Sequence, residues 1–400
     1  MSLITVEDAQ ARLLAAIAPL GPETVTLREA HGRRAAADHV ARRTQPPFAA
    51  SAMDGYAIRW DDRAGPWTVI GEAAAGRRFD GIVCAGEAVR IFTGAPLADG
   101  ADTVIVQEDV ERDGLDLRLT GDGPPSRGAH IRVAGLDFVT RAVLVASGTA
   151  LTPARLGLLA AGGHGNATVH RRPVVGLLAT GDELVAPGTV PGPDQIVSSN
   201  GVMLAALLAD AGATVIDGGI VRDDPAALQA AIAAMAHADL IVTIGGASVG
   251  DHDLVLPSLR ALGAEIDFWK VALRPGKPML AGRLGSAQVV GLPGNPVSAF
   301  VCAQLFILPM LRRWSGSEAP LPPLSTARLG VGLPANGARR DYLRATLADG
   351  SIVPAARQDS GMLKALADAN VLLIRAPGAA AVDAGTMVEY LRLDTRLDVA

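Results

Sequence analysis

A chain of 400 residues exceeds what one hydrophobic core usually organises, so two to four domains are expected. Apolar residues make up 49% of it, yet the long apolar run from Val301 to Leu311 is shorter than the ~18 residues of a membrane span. A net charge of -5 without any Lys/Arg block argues against a nucleic-acid partner and leaves a small ligand as the expectation. The two cysteines, Cys84 and Cys302, lie far apart with no His or Cys at ligand spacing, which excludes a disulfide framework or a zinc knuckle; any metal would be held by oxygen.

The N-terminus runs directly into a helix over Val6 to Ile17, with Thr5 as N-cap and Asp8 in the capping-box position. No basic leader or cleavage site precedes it, so a cytoplasmic location is expected. A short strand follows at Thr24 to Leu27. From Pro46-Pro47 to about Arg132 the pattern changes to short β-prone runs divided by Gly, Asp and Pro, which predicts a small β domain inserted in the first one. From Arg172 onward apolar strands alternate with helices. Strands are predicted at Val174 to Ala179, Thr214 to Ile216, Leu240 to Ile244, Ile266 to Val271 and Gln288 to Val290. Helices are predicted at Asn200 to Ala211, Pro225 to Ala238, Leu254 to Leu262 and Pro296 to Leu311. That alternation implies a parallel sheet covered on both faces, whose ligands bind beyond the carboxyl ends of the strands. The segment Pro320 to Pro323 reads as a linker. Strand-like runs at Tyr342 to Leu347, Ile352 to Pro354, Val371 to Ile374 and Met387 to Leu391 suggest a terminal β domain.

Chemistry-bearing residues fall at the predicted strand ends. Thr180-Gly181-Asp182-Glu183 follows the first strand of the α/β region, Gly245-Gly246-Ala-Ser248 with Asp251-His252-Asp253 follows a later one, and Pro293-Gly294-Asn295-Pro296 follows the last. Glycines there let backbone amides approach an anion, and the next helix N-terminus adds positive potential. Carboxylates beside such a nest need a divalent cation between themselves and a phosphate. Taken singly, the Gly pair reads first as an ordinary tight turn, and Asp182, Glu183 or Asp223-Asp224 read equally as caps of the following elements. Only three of the 36 basic residues are lysines, and two of them, Lys270 and Lys277, flank Arg274 in one short segment, which reads as an anion site. Neither a P-loop nor a dinucleotide fingerprint follows any strand.

Read together, Met53-Asp54-Gly55-Tyr56-Ala57, Thr93-Gly94-Ala95-Pro96, Thr180-Gly-Asp-Glu-Leu184, Ser199-Asn200, the stretch from Gly245 to Asp253, Arg274-Pro-Gly-Lys277-Pro and Gly291-Leu-Pro-Gly-Asn-Pro296 closely resemble the molybdopterin molybdenumtransferase family, MoeA, and the C-terminal region of gephyrin. The resemblance spans essentially the whole chain in order. It implies an α/β multidomain protein of four units: an elongated α+β N-terminal domain (1–45 and 133–171), an inserted β domain (46–132), a three-layer α/β molybdopterin-binding domain with a parallel-rich sheet (172–318), and a C-terminal β barrel (319–400). It also implies a homodimer with its cleft between the α/β domain of one subunit and the inserted domain of the other. The implied activity is insertion of molybdate into the dithiolene of adenylyl-molybdopterin with release of AMP, with Mg²⁺ as cofactor. A molybdopterin adenylyltransferase and downstream molybdoenzyme factors are the implied protein partners.

Transferred residue by residue, the family's functional positions fall on Asp54, Thr93, Asp137, Glu183, Asp223, Asp253, Lys270, Pro293 and Pro296. Asp54, Glu183, Asp223 and Asp253 are the candidate Mg²⁺ ligands; with Lys270 they form the expected catalytic set. Thr93, Asp137, Thr180, Gly181, Gly245, Gly246, Ser248, Arg274, Lys277, Pro293, Gly294, Asn295 and Pro296 are expected to bind the cofactor substrate. Two positions depart from the family's pattern: Arg274 stands where lysine is common, and Leu136 follows Gly135 where an acid is common. A dimeric partner-binding scaffold and a molybdopterin adenylyltransferase are the alternative readings, and an amidohydrolase related to the α/β domain is a third.

Overall fold

The computed structural model describes residues 3–246 and 254–393. Thr5 caps the first helix, Val6–Ala15, its hydroxyl accepting the Asp8 N–H at 3.0 Å. The helix buries Val6, Ala9 and Leu13 in the same core as the sheet of the α/β region and the helix Leu308–Trp314. The apolar stripe of this helix therefore serves the α/β layer, although in sequence the helix lies at the start of the elongated unit.

The elongated unit pairs chain segments from both sides of the insertion. Pro22–Thr26 runs antiparallel to Asn166–His170, and His39–Val40 to Val143–Val145. The helix Pro153–Ala161, capped by the Thr152 hydroxyl on the Arg155 N–H at 3.2 Å, covers them. No helix was expected there from the sequence, because its apolar face is short and interrupted by Gly157. Ala35, Leu151, Leu159 and Val169 form the core.

His39 is buried beside it, its Nε2 accepting the Thr168 N–H at 3.0 Å and its ring set edge-on to His164, with centroids 5.7 Å apart. Burial, then the neighbouring His164 charge, hold the His39 pKa below its ordinary value. The folded form thus favours neutral imidazole; its stabilisation is complete above the unfolded pKa of about 6.5 and is lost as pH falls through the lower folded value. Thermal unfolding from pH 8 to pH 5 is expected to show a Tm decline below pH 6.5 that is shallower in His39→Gln. An identical decline in both proteins would remove His39 as its source.

The inserted unit is a six-stranded sheet in the order Thr103–Val106, Gly55–Ile58, Glu87–Ile91, Trp67–Ala73, Asp116–Leu119, Val110–Asp113. It carries one apolar core on each face, one around Val89 and Ile91 and the other around Trp67 and Ile105.

The α/β region has the order Thr214–Val221, Val174–Thr180, Leu240–Ile244, Ala287–Leu292, Leu280–Leu284, Glu265–Phe268. The first four strands are parallel, as the continuous apolar runs predicted. The last two are antiparallel and form an edge. Leu280–Leu284 joins Ala287–Leu292 through a tight turn containing Gly285, a hairpin signal that the surrounding βα alternation obscured. The apolar helix is longer than its sequence pattern indicated, continuing over 19 residues from Pro296 to Trp314, with 83% of its most apolar window buried inside the fold. It is thus a core helix. It stays continuous past Pro309, which can donate no backbone hydrogen bond, because Ala303–Ile307 widens into a π turn just before it.

Beyond the proline-rich linker, Ser325–Leu329, Arg340–Ala348, Ser351–Pro354, Val371–Arg375 and Met387–Arg392 close into a barrel, with Arg340–Ala348 pairing both Ser351–Pro354 and Val371–Arg375. The two-residue strand Leu273–Arg274 from the α/β region adds parallel to its rim.

Candidate active site

The parallel strands Val174–Thr180, Leu240–Ile244 and Ala287–Leu292 end side by side, and their following loops surround a cleft of about 630 Å³. Thr180, Gly181, Glu183, Asp223, Gly245, Gly246, Gly294, Asn295 and Pro296 all line it. The strand-end reading of the sequence thus meets in one place, beyond the carboxyl edge of a parallel sheet.

Backbone approach explains the glycine pair. Gly245 has φ +88° and Gly246 +60°, and a Cβ on Gly245 would stand 2.7 Å from the Thr180 carbonyl oxygen. Neither a side chain nor a β-region backbone fits there. Thr180, packed under this turn, donates its hydroxyl to Asp223 Oδ1 at 2.7 Å. Asp223 has no capping role, since the helix Pro225–Ala234 is capped by Asp224, whose Oδ1 accepts the Ala227 N–H at 2.8 Å. Asp182 is likewise structural, accepting the Asp223 N–H at 3.2 Å. Glu183 folds over Gly181 and makes no side-chain hydrogen bond among the described residues. Among the described residues, the carboxylates facing the cleft are therefore those of Glu183 and Asp223.

The opposite wall carries Asn200, which the sequence reading named only as part of the Ser199-Asn200 motif and did not include among the expected site residues. Asn200, at the start of the helix Asn200–Asp210, donates to the Gly294 carbonyl at 2.6 Å, while its Oδ1 is buried without a hydrogen-bond partner among the described residues. A buried acceptor on a cleft wall calls for a donor from a ligand or water. Gly361 and Leu363 of the C-terminal unit close the cleft at another side. Their segment is fixed by Arg344, 1% exposed, which donates to the Asp359 carbonyl at 2.6 Å and to Gln358 Oε1 at 3.2 Å. The Val297 N–H donates to the Ser360 carbonyl at 3.1 Å, tying the same segment to the apolar helix. No motif signals this wall, since it depends on how the barrel docks.

Other expected residues lie elsewhere. Asp54 and Thr93 meet at the end of the inserted sheet, where the Thr93 N–H and hydroxyl donate to Asp54 Oδ1 at 2.8 and 2.7 Å. Those two bonds, with a smaller contribution from the Arg90 charge, hold the Asp54 carboxyl below the usual carboxylate range. Arg90 is stacked on the rings of Tyr56 and Phe92, 5.0 and 4.7 Å from their centroids. Asp137 sits exposed in a turn of the elongated unit. None of the three lines the cleft of its own chain.

The basic segment is also outside the cleft lining. Lys270 Nζ lies 5.3 Å from the Trp269 ring centroid, and Lys277 is exposed. Arg274, expected to hold an anion, instead pairs with Asp341, a carboxylate buried at the barrel rim. The reason is the short strand Leu273–Arg274, which aligns Arg274 with Asp341 in register. Pro293 is buried beneath the loop rather than lining it. Ser248, Asp251, His252 and Asp253 lie outside the described residues. Among those described, no three His, Cys, Asp or Glu side chains gather as a metal site, so Asp54, Glu183 and Asp223 do not meet within one chain.

Three family models match in succession: the MoeA N-terminal region (domain I and II) at residues 4–163, a probable molybdopterin binding domain at 176–313, and the MoeA C-terminal region (domain IV) at 326–393. The chain is 37% identical to a molybdopterin molybdenumtransferase of Haemophilus influenzae over 86% of its own length and 85% of that protein's. The chain belongs to the MoeA family. A second relative, molybdopterin molybdenumtransferase 2 of Mycobacterium tuberculosis, is also 37% identical, over 92% of this chain and 94% of its own. The crystal structure of a Pyrococcus MoeA molybdopterin biosynthesis protein superposes with a TM-score of 0.85 at 31% identity, covering 98% of this chain and 99% of that one. In MoeA terms, the strand-end cleft lies in the molybdopterin binding domain and its outer wall, Gly361 and Leu363, in domain IV.

Proposed function

We propose that this chain is a molybdenumtransferase of molybdenum cofactor biosynthesis, inserting molybdate into the dithiolene of adenylyl-molybdopterin and releasing AMP. The observation that carries the reading is the cleft itself: in a MoeA-family chain, the Glu183 and Asp223 carboxylates, the unsatisfied Asn200 Oδ1 and a close-approach glycine turn face one space at the end of a parallel sheet.

Each group has a role fitted to its chemistry. The Gly245-Gly246 turn and the N-terminal ends of the helices beginning at Asn200 and Pro296 receive the negatively charged phosphate part of the substrate. Asn200 Oδ1 accepts a hydrogen bond from an N–H of the pterin ring. Glu183 and Asp223, with the Thr180 hydroxyl holding Asp223 in place, are hard oxygen donors of the kind that bind Mg²⁺ together with substrate phosphates. Mg²⁺, when bound, would neutralise charge on the phosphoanhydride that is cleaved. Glu183, having no internal partner among the described residues, orients the water at that bond and accepts its proton.

The full site as we propose it is shared within a cytoplasmic homodimer. Asp54 and Thr93 of one chain face the cleft of the other, and Lys270 and Lys277 contribute charge at its rim. The four units keep the bounds given above, with the first helix docked on the α/β unit. Incubating the purified protein with adenylyl-molybdopterin, Mg²⁺ and molybdate tests the reaction. AMP release that rises with molybdate concentration is the expected result; AMP release indifferent to molybdate, or none, would overturn the assignment.

A further inference from the structure

Asp54 immediately precedes the strand Gly55–Ile58, which lies in the inserted sheet between Glu87–Ile91 and Thr103–Val106. Both neighbours run antiparallel to it, with Arg90 and Ile105 directly opposite Tyr56. That register ends the two flanking strands on either side of Asp54, so that Thr93 follows one of them and Gln107 the other. Asp54 is held from both flanks. The Thr93 N–H and hydroxyl donate to its carboxylate, and the Gln107 N–H donates to its backbone carbonyl at 3.1 Å.

Arg90 ties these flanks together across the start of the strand. Its guanidinium lies over the rings of Tyr56 and Phe92, and its two terminal nitrogens part to separate acceptors: Nη1 donates to the Gly55 carbonyl at 3.1 Å and Nη2 to Gln107 Oε1 at 2.6 Å. The contacts close a ring through Arg90, Gly55, Asp54 and Gln107. Within it the Asp54 carbonyl is taken by Gln107 and the Gly55 carbonyl by Arg90, so both peptide planes flanking Gly55 are fixed. A glycine beside a functional carboxylate would otherwise lend its backbone freedom to that side chain. A planar fork reaches two acceptors while stacked on aromatic rings, whereas an ammonium is a point charge that cannot span them.

We propose that Arg90 is a positioning residue for Asp54: by clamping the main chain on both sides of Gly55, it fixes the direction in which the inserted sheet presents the Asp54 carboxylate. The use made of that carboxylate rests on the shared cleft proposed above, while the clamp itself is testable without the reaction.

Amide hydrogen exchange, resolved by residue on the full-length protein, reads the clamp directly. Arg90→Met keeps an apolar stem and removes the fork. In it the Thr93 and Gln107 N–H groups that donate to Asp54 are expected to exchange about tenfold faster, while Ala57 and Val89, paired with each other in the same sheet, keep their rates. Equal acceleration at all four would make Arg90 a general support of the sheet and overturn the proposal, as would unchanged exchange at Thr93 and Gln107. Molybdate-dependent AMP release supplies the second readout. In Arg90→Met kcat is expected to fall by about tenfold or more, the order of loss that a small misplacement of a reacting group causes, with KM for adenylyl-molybdopterin within about twofold of the unmodified chain. A raised KM at unchanged kcat would make Arg90 a substrate ligand and overturn its positioning role. Arg90→Lys, which keeps the charge without the fork, is expected to resemble Arg90→Met in both measurements, and full recovery by lysine would overturn the clamp. A wild-type chain that releases no AMP refutes the reaction alone, since the exchange rates still decide whether Arg90 holds Asp54.

Discussion

Glu183→Gln and Asp223→Asn are each expected to lower the rate of molybdate-dependent AMP release by about a hundredfold or more while leaving the fold intact. A positioned carboxylate that handles a proton or a metal-bound phosphate typically contributes ~10²–10⁴ in rate. The structural cost is small in both cases. Glu183 is exposed, with no side-chain hydrogen bond among the described residues, so its amide replacement should change stability by no more than about 0.5 kcal/mol. In Asp223→Asn the amide oxygen still accepts the Thr180 hydroxyl, now 2.7 Å from the carboxylate, and Asp224 continues to cap the next helix. Rates and Tm should be measured on the same preparations. An activity loss that merely tracks lost thermal stability would return both residues to a structural role. Asp182→Asn serves as the matched control, because Asp182 holds the Asp223 N–H rather than facing the cleft.

The second large effect is expected from mixing two inactive chains. Asp54 and Thr93 are joined to each other at the end of the inserted sheet and do not line the cleft of their own chain. Thr93 and Arg90 keep Asp54 ionised, which suits a carboxylate presented to a cation or a cationic side chain. With the cleft shared between subunits, a mixed dimer of one Asp54→Asn chain and one Lys270→Ala chain has both lesions in one cleft and none in the other. About half of dimeric activity should then return if the clefts act independently. Were each site built within one chain, both clefts would keep one lesion and mixing would restore nothing. Differently tagged variants, co-expressed and isolated by sequential affinity steps, supply the mixed dimer, and molybdate-dependent AMP release is the readout. No recovery from a verified mixed dimer would sink the shared cleft without touching the assignment of the reaction.

Local chemistry made much of this molecule legible from its sequence. Thr5 and Asp8 announce a helix start because a hydroxyl acceptor is needed three residues before the first turn's free N–H, and the bond forms as expected. Continuous apolar runs at Val174–Thr180 and Leu240–Ile244 require burial on both faces, which only a covered parallel sheet provides. Once those strands are placed, Thr180, Gly181, Glu183, Gly245, Gly246 and Asn295 must emerge at the same edge, and they line one cleft. Their convergence follows from strand polarity, so order along the chain was enough to determine it.

Tertiary structure decided what depends on contacts between distant segments. Asp223 and Asp224 are chemically identical and adjacent, and only the helix geometry shows that Asp224 is the cap while Asp223 answers Thr180 across the sheet. Arg274 reads as an anion ligand in isolation, yet the register of Leu273–Arg274 against the barrel strand turns it onto Asp341, 67 residues further on. The Gly361–Leu363 wall exists because buried Arg344 pins its loop from the barrel side, an arrangement that leaves no periodicity or motif in the chain. Nor does any spacing reveal that Arg90 and Gln107 brace Asp54, because what brings them together is the pairing of separate strands, not the preferences of any one segment.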